Sequence, residues 1–255
     1  MMTAAQLDEL KKQLGTNETV IYREYLQLVF LKALYDDPRG KDVYFKGGTA
    51  IHLLFGAPRF SEDLDFTVGT TEASLLTLFD HVVHVVSSQE NITVKRRATI
   101  VGNRWLMTAQ PVSLRYPIYL TLDFSFRERV LHPQVSPLVT TLPIIFTSLV
   151  HHLSAGEILA EKIRAIMTRR KGRDLYDLWY LMARGTTLNQ EDVKKKLAYY
   201  RLEGIANEAM QERISSFPRD AFVSDLRPFV PVEEREKLSD FYDYVQTYLK
   251  RVIGQ

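Results

Sequence analysis

The chain has 255 residues, 45% hydrophobic and 25% charged, which is enough to bury a core as one large domain or two small ones. It contains no cysteine, which excludes disulfides, zinc-thiolate sites and thiol nucleophiles, and its net charge of +2 is too small to indicate nucleic acid by itself. Because MMTAAQLDELKKQLG has no apolar core and no run approaches the ~20 apolar residues of a membrane span, we expect a cytoplasmic protein without a membrane partner.

The chain opens with two helical patterns, about Ala4 to Leu14 and Asn17 to Tyr35. Apolar residues of the second pattern recur at helical spacing, and Asp37-Pro38-Arg39-Gly40 closes it. We expect both helices to cover one face of a sheet.

The stretch from Tyr44 to Val68 is predicted to form a strand, a glycine turn, a short helix, a loop and a second strand. Asp63 and Asp65 alternate with apolar residues, and because side chains in a strand have period two, both carboxylates should leave the same face. Two carboxylates held so close repel each other, and a hard divalent cation is the usual remedy.

The glycine turn between the first strand and the short helix is predicted to bind phosphate. Backbone N–H groups at a helix N-terminus, with the hydroxyl of Thr49, should face outward and form an anion site. A phosphate site close to metal-binding aspartates is the equipment of nucleotidyl transfer. The residues assigned to the nucleotide here are Lys46, Gly47, Gly48 and Thr49, with Arg59 and Ser61 in the loop that follows.

After a helix from Thr70 to Ser88, the hydrophobic period changes to two, which predicts strands at Ile92 to Ile100, Trp105 to Leu114 and Tyr119 to Phe126. The third strand carries Asp123 among apolar residues, where an unpaired carboxylate would cost several kcal/mol. If this strand lies beside the earlier aspartates, three carboxylates can hold two Mg²⁺ ions about 3.5–4 Å apart. The alternative is an ion pair of Asp123 with a structural arginine, such as Arg115 or Arg127.

From Val130 to Leu153 we expect a connector of loop and short strand, and then a helix that Ser154 and Glu157 begin with a capping box. Six basic residues and no acidic one lie from Lys162 to Arg173, and this run is either a solvated helix face or a binding surface. A second helix restarts after Gly172. Its Asp174 is assigned to the nucleotide, with a helix N-cap as the alternative. If the run is a binding surface, Arg169, Arg170, Lys171 and Arg173 are assigned to an RNA acceptor, which is the acceptor that the family resemblance described below implies.

The remaining segments, Asn189 to Gly204, Ala206 to Ser216 and Val232 to Val252, are helical in pattern. The predicted fold is therefore α/β or α+β: a mixed β-sheet flanked by helices, followed by a helical C-terminal region. We expect residues 1–150 to form the catalytic domain and residues 151–255 to form a helical domain that completes the active site.

Three blocks, KGGTAIHLLFG with RFSEDLDF, LDF at Leu122, and AEK with RDLYDL from Ala160 to Leu178, resemble the AbiEii-type abortive-infection toxins of the polymerase-beta-like nucleotidyltransferase superfamily. Where that superfamily usually has Gly-Ser, this chain has Gly48-Thr49 and keeps a hydroxyl. The resemblance implies a nucleotidyltransferase fold, and it places Lys162 and Asp177 in the active site. Lys162 would neutralise the triphosphate and Asp177 would orient that lysine or the acceptor, unless the two form an ordinary salt bridge between helices.

The resemblance also implies an NTP as substrate, the 3′ end of tRNA as acceptor, growth arrest or phage defence as the outcome, and a cognate antitoxin protein as partner. Two alternatives remain open. The acceptor could be a protein hydroxyl or a small molecule, or the chain could be an inactive protein that binds nucleic acid or an antitoxin. The presence of Asp63, Asp65 and Asp123 together argues against the inactive alternative.

Overall fold

The computed structural model describes residues 2–99, 101–202 and 207–253. They form two compact units: Met1–Gly56 with Phe60–Leu153, and Ala57–Arg59 with Ser154–Gln255. The short segment Ala57–Arg59 thus belongs with the second unit although the first unit flanks it on both sides in sequence. Within the described ranges, no helix combines the length and the apolar character needed to cross a membrane.

The first unit contains four α-helices, a 3₁₀ turn at Pro38–Asp42 and seven strands among its described residues. The helices are α1 Ala4–Leu14, α2 Glu18–Asp36, α3 Gly47–Phe55 and α4 Glu72–Ser87. The strands are β1 Val43–Lys46, β2 Leu64–Val68, β3 Ile92–Arg97, β4 Asn103–Ala109, β5 Ile118–Ser125, β6 Pro133–Pro137 and β7 Leu149–Leu153.

The seven strands form one mixed sheet in the order β3-β4-β5-β2-β1-β7-β6. β2 and β5 run parallel, as do β1 and β7, and the other neighbours are antiparallel. β2 is therefore the middle strand, with β5 and β1 beside it, and α4, β3 and β4 separate β2 from β5 in sequence.

One face of the sheet is apolar because alternate residues of each strand are large and buried. Phe66 of β2 stacks on Phe124 of β5 with ring centroids 4.7 Å apart, and Phe30 of α2 packs against Phe66. Trp105 of β4 stacks on Phe79 of α4 at 3.9 Å. With α2 and α4 on this face, the residues that alternate with these rings point to the opposite face.

The second unit is helical. Its α-helices are α5 Ala155–Thr168, α6 Gly172–Ala183, α7 Gln190–Ala198, α8 Asn207–Ser215, α9 Arg219–Leu226 and α10 Leu238–Ile253, with 3₁₀ turns at Arg227–Phe229 and Val232–Lys237. α6 and α9 pack closely at Gly172, the first residue of α6. A Cβ added there would lie only 2.6 Å from the Cα of Phe222. That approach explains why a glycine separates α5 from α6.

The mixed sheet and the helical C-terminal region confirm the predicted fold class, and the bounds of most elements agree within a few residues. The structure differs in several places. β4 ends at Ala109 and not at Leu114, and α7 ends at Ala198, before the predicted end. β2 begins at Leu64, so Asp63 lies just before the strand; α9 was not predicted; residues 232–237 form a 3₁₀ turn; and β6 and β7 extend the sheet beyond the expected connector. The predicted ends at Ile100, Gly204 and Ala206 lie outside the described residues.

Candidate active site

Two aspartates meet on the central strands of the first unit. Asp65 of β2 and Asp123 of β5 are register partners in the parallel pair, as are Phe66 and Phe124. Register partners on neighbouring strands lie on the same face about 4.8 Å apart, so both carboxylates leave the face opposite the stacked rings. The expectation that Asp123 lies beside the first aspartates therefore agrees with the strand pairing, although Asp63 is outside the ladder.

The two aspartates belong to a row of charged residues that crosses five strands. Lys46 of β1 pairs with Asp65, and Arg104 of β4 pairs with Asp123. Arg97 of β3 in turn pairs with Arg104. Two carboxylates are thus flanked on both sides by cations along one face of the sheet. We name Arg97, Arg104, Asp123, Asp65 and Lys46 the charged row.

Asp123 has an arginine partner, but it is neither of the two considered from the sequence. Nε of Arg104 donates to Oδ2 of Asp123 at 2.7 Å, and Nη2 contacts the same oxygen. The Arg104 side chain is 44% exposed and that of Asp123 20% exposed. Ion pairs near the surface stabilise by only about 0–1 kcal/mol. Asp123 can therefore exchange Arg104 for another cation at a small cost in free energy.

The glycine turn lies against the carboxylate of Asp65. β1 ends at Lys46 and α3 begins at Gly47, where φ is +78° and a Cβ would lie 2.4 Å from Oδ2 of Asp65. The first N–H groups of a helix have no partner inside the helix and favour an anion there. Gly48 is different, since it lies in the first turn of α3 with a φ that is not positive. The close approach to Asp65 therefore requires glycine at Gly47.

The hydroxyl of Thr49 does not face outward as predicted. Thr49 is fully buried, and its Oγ1 donates to the backbone oxygen of Asp63. Nε2 of the buried Gln27 donates to the backbone oxygen of Ser61 at 3.0 Å. Both contacts hold the loop that leads into β2, so Thr49 anchors the backbone at Asp63 in this structure. A contact of Thr49, Lys46 or Ser61 with a nucleotide stays a prediction.

In the second unit, Asp177 of α6 joins two buried cations. Nε and Nη2 of Arg59 donate to its two carboxylate oxygens at 2.6 and 2.5 Å, and Nζ of Lys162 of α5 lies 2.7 Å from Oδ2. Asp177 is fully buried and Arg59 is 2% exposed. Burial alone would lower the pKa of Lys162. The negative charges of Asp177 and Asp174 raise it by more than burial lowers it, so the pKa lies above its ordinary value. The predicted contact between Asp177 and Lys162 is therefore present.

Asp174 extends this cluster and is not a helix cap. α6 begins at Gly172 with Lys171 as its N-cap, and the Asp174 carboxylate instead accepts from Lys162 at 2.9 Å and from Nε of Arg169 at 2.7 Å. Burial would raise the pKa of Asp174, but these two cations hold it well below its usual range. We name Arg59, Lys162, Arg169, Asp174 and Asp177 the ion cluster; its members are buried except Arg169, whose side chain is 58% exposed.

The basic run divides by its partners. Besides Lys162 and Arg169, Arg173 lies 3.5 Å from Asp225 of α9 and over the ring of Phe229. Arg170 and Lys171 are exposed, and neither forms an ion pair with any residue that the structure describes. Of the residues assigned to RNA, these two keep a charge that no described carboxylate offsets.

Sequence reasoning missed two groups. Arg104 could be identified only from strand register, since its sequence neighbours give no sign that it faces Asp123. The second group is Lys196 of α7, fully buried between Glu157 at 2.8 Å and Glu161 at 3.1 Å on α5. Ser154 caps α5 as predicted, but the Glu157 carboxylate is bound to Lys196. This group joins α7 to α5.

The aspartate pair fits a divalent cation, and the site of three carboxylates with Asp63 stays a prediction. Within residues 2–99, 101–202 and 207–253, no group of three His, Asp or Glu side chains is arranged to hold a metal ion. Mg²⁺ is usually held by one or two carboxylates, with water and substrate phosphates completing its octahedron. Asp65 and Asp123 supply two such carboxylates on one face of neighbouring strands.

A family model described as nucleotidyl transferase AbiEii toxin, type IV TA system, matches residues 29–249. MenT4, a nucleotidyltransferase toxin from Mycobacterium tuberculosis H37Rv, has a similar structure, with a TM-score of 0.60 at 19% identity over 96% of this chain and 90% of that one. JHP933 from Helicobacter pylori has a TM-score of 0.54 at 20% identity over 92% and 95%. No curated protein sequence matches significantly. At these identities the two structures show a shared fold alone.

Proposed function

The chain belongs to the AbiEii family of nucleotidyltransferase toxins of type IV toxin-antitoxin systems, and we propose that it transfers the nucleoside monophosphate of an NTP to an acceptor hydroxyl. The hydroxyl oxygen forms a bond to the α-phosphorus, and the bond from that phosphorus to the oxygen bridging to the β-phosphorus breaks. Pyrophosphate leaves, and the hydroxyl proton passes to a carboxylate of the pair Asp65 and Asp123.

The observation that carries this proposal is the register of Asp65 with Asp123 beside the N-terminus of α3. The two carboxylates can hold a divalent cation, and the helix N-terminus can hold phosphate. Lys46, next to Asp65 in the charged row, adds a positive charge on the side of the glycine turn. A triphosphate over this turn would place its α-phosphorus near the carboxylate pair.

Mg²⁺ is the cation we propose, held by Asp65 and Asp123. The chemistry that it would supply is neutralisation of the triphosphate and a lower pKa for the attacking hydroxyl. A second ion with Asp63 as a further ligand stays part of the proposal.

We also propose that Lys162 and Asp177 are needed for transfer, as the family resemblance implies. Asp177 holds Lys162 and Arg59 with short contacts at a buried position, which supports an orienting role for this carboxylate. A direct contact of Arg59 or Asp174 with the nucleotide would require their ion pairs to open. The structural alternative for this cluster is stabilisation of the helical unit alone.

For the acceptor we propose the 3′ end of tRNA, and for the biological outcome growth arrest in the cytoplasm, with phage defence as the context and a cognate antitoxin as partner. The resemblance to AbiEii toxins supports these assignments. A protein hydroxyl or a small molecule as acceptor would use the same carboxylates, so only a comparison of acceptors separates them.

The experiment is to incubate the purified protein with each NTP, labelled at the α-phosphorus, together with Mg²⁺ and either total RNA or total protein. We expect label in small RNA, and we expect none with Asp65→Asn or Asp123→Asn. Both variants should melt close to the wild type, because each relieves repulsion between carboxylates and Asp123→Asn loses only a partly exposed ion pair with Arg104, worth about 0–1 kcal/mol. Loss of transfer that only follows a loss of folding would show that the aspartates are structural. Label in protein instead of RNA would overturn the acceptor.

A further inference from the structure

The sheet of the first unit has an open face beyond the catalytic aspartates. On β4 and β5, Trp105, Met107 and Phe124 are buried on the side of α2 and α4. The residues that alternate with them are exposed or half-buried. Among these are Lys95 and Arg97 on β3, Arg104 on β4 and Tyr119 at the start of β5. We name these four residues the basic face.

Charge on this face has one sign except at the catalytic end. Arg97, Arg104 and Asp123 lie side by side in the charged row, and Lys95 is two residues from Arg97 along β3. On the opposite face of β3, Arg96 has polar partners. Arg96 is held by Glu72 and Asn103, whereas Lys95 and Arg97 form no ion pair with any residue in the described ranges.

The spacing of the cations follows from strand geometry. Neighbouring strands lie about 4.8 Å apart, so Arg104 is one step and Arg97 two steps, about 10 Å, from Asp123. Residues two apart along a strand are separated by about 6.7 Å. Lys95 therefore lies about 6.7 Å from Arg97 along β3. The cations therefore form a track that ends at a carboxylate. An anionic polymer could lie along this track with its end at Asp123.

We propose that the basic face binds the acceptor as single-stranded RNA, with the terminal hydroxyl at Asp123 and the preceding phosphates over Arg104, Arg97 and Lys95. The inference rests on the proposed function and adds the surface that receives the acceptor. Tyr119 is 51% exposed on the same face and offers a ring on which a base can stack. The charged row thereby has two sides. The nucleotide would bind at Lys46, next to the glycine turn, and the acceptor would bind at Arg104 and Arg97.

Charge complementarity favours RNA over other occupants of this face. Cations bind phosphates without reading sequence, through the release of counterions. An acidic protein could meet the same charges, and it is an alternative outcome of the test below. The structure thus predicts binding that depends on salt and tolerates changes of sequence.

The test compares two adjacent arginines that face opposite sides of β3. Arg97→Gln and Arg96→Gln remove the same charge from the same strand, but only Arg97 lies on the basic face. The probe is a short RNA oligonucleotide with a free 3′ hydroxyl, and its affinity is measured without NTP at several salt concentrations. Arg97→Gln with Lys95→Gln should lower the slope of log K against log salt by about 1.4, from ~0.7 per phosphate contact.

At 0.1 M salt these two lost contacts correspond to a loss of affinity of about 25-fold. Arg96→Gln should bind the oligonucleotide like the wild type, and Arg97→Lys, which keeps the charge, should keep the slope. NTP binding should not change in any of these variants. Since the measurement needs no catalysis, its result is separate from the transfer assay: absence of transfer by the wild type would refute the proposed function alone.

Three results would overturn the inference. The double variant could bind RNA like the wild type at every salt concentration. Arg96→Gln could weaken binding as much as Arg97→Gln, which would indicate a general effect of charge. Or the double variant could keep RNA binding and lose binding to poly-glutamate, which would assign the face to an acidic protein.

Discussion

Gly47→Ala should test whether transfer requires the close approach of the glycine turn to Asp65. Gly47 has a φ of +78°, and an added Cβ would lie 2.4 Å from Oδ2 of Asp65, where ordinary contact begins at 3.4 Å. The carboxylate of Asp65 must therefore move by about 1 Å, and a misplacement of that size can reduce a rate by about 100-fold. The left-handed backbone adds a penalty of about 1–2 kcal/mol to folding.

The assay for Gly47→Ala measures transfer under saturating NTP together with the melting temperature, and Gly48→Ala is the matched control. Gly48 lies in the first turn of a helix, where alanine is more stable than glycine by ~0.5–1 kcal/mol of folding free energy. Gly48→Ala should therefore leave the melting temperature level or raise it. Gly47→Ala should lower both the rate and the melting temperature. Full transfer by a stable Gly47→Ala protein would refute the close approach of the turn to Asp65 as a requirement of the site.

The remaining predictions concern the second unit. Asp177→Asn should destabilise the protein by about 3–5 kcal/mol in urea unfolding, because it removes the carboxylate that two buried cations share; a change below 1 kcal/mol would contradict this. The depressed pKa of Asp174 adds stability that is present above its unfolded pKa, about 3.9, and is lost as the pH falls towards the folded value. Melting curves should therefore fall less steeply with acid, below about pH 4, in Asp174→Asn than in the wild type, and equal slopes would be inconsistent with the ion pairs. Arg170→Gln with Lys171→Gln should reduce the salt dependence of tRNA binding if this end of the run contacts the acceptor, and an unchanged slope would make it a solvated surface.

The sequence predicts the local structure around the aspartates well, because periodicity and glycine placement determine it. The strand, turn, short helix and second strand between Tyr44 and Val68 are all present. Gly47 has the left-handed backbone that the turn after β1 needs. The family resemblance and the nucleotidyltransferase assignment are also confirmed.

What the sequence could not give is the partner of each charge, because partners depend on register and packing. Arg104 reaches Asp123 only through the pairing of β4 with β5. Lys194 and Lys196 lie in one run of lysines, yet the side chain of Lys194 is 72% exposed and that of Lys196 is fully buried between glutamates. Thr49 could be placed at the turn from its sequence, but not the direction of its hydroxyl.

The most direct test of the central claim follows the two ends of the triphosphate in one reaction. Wild-type protein is incubated with Mg²⁺, RNA and the preferred NTP, labelled in parallel at the α- and at the γ-phosphorus. Nucleotidyl transfer at Asp65 and Asp123 predicts that the α-label enters RNA while the γ-label is released as pyrophosphate, in equal amounts, and that Asp123→Asn abolishes both. Transfer of the γ-label to RNA, or release of label that does not require Asp123, would contradict the account.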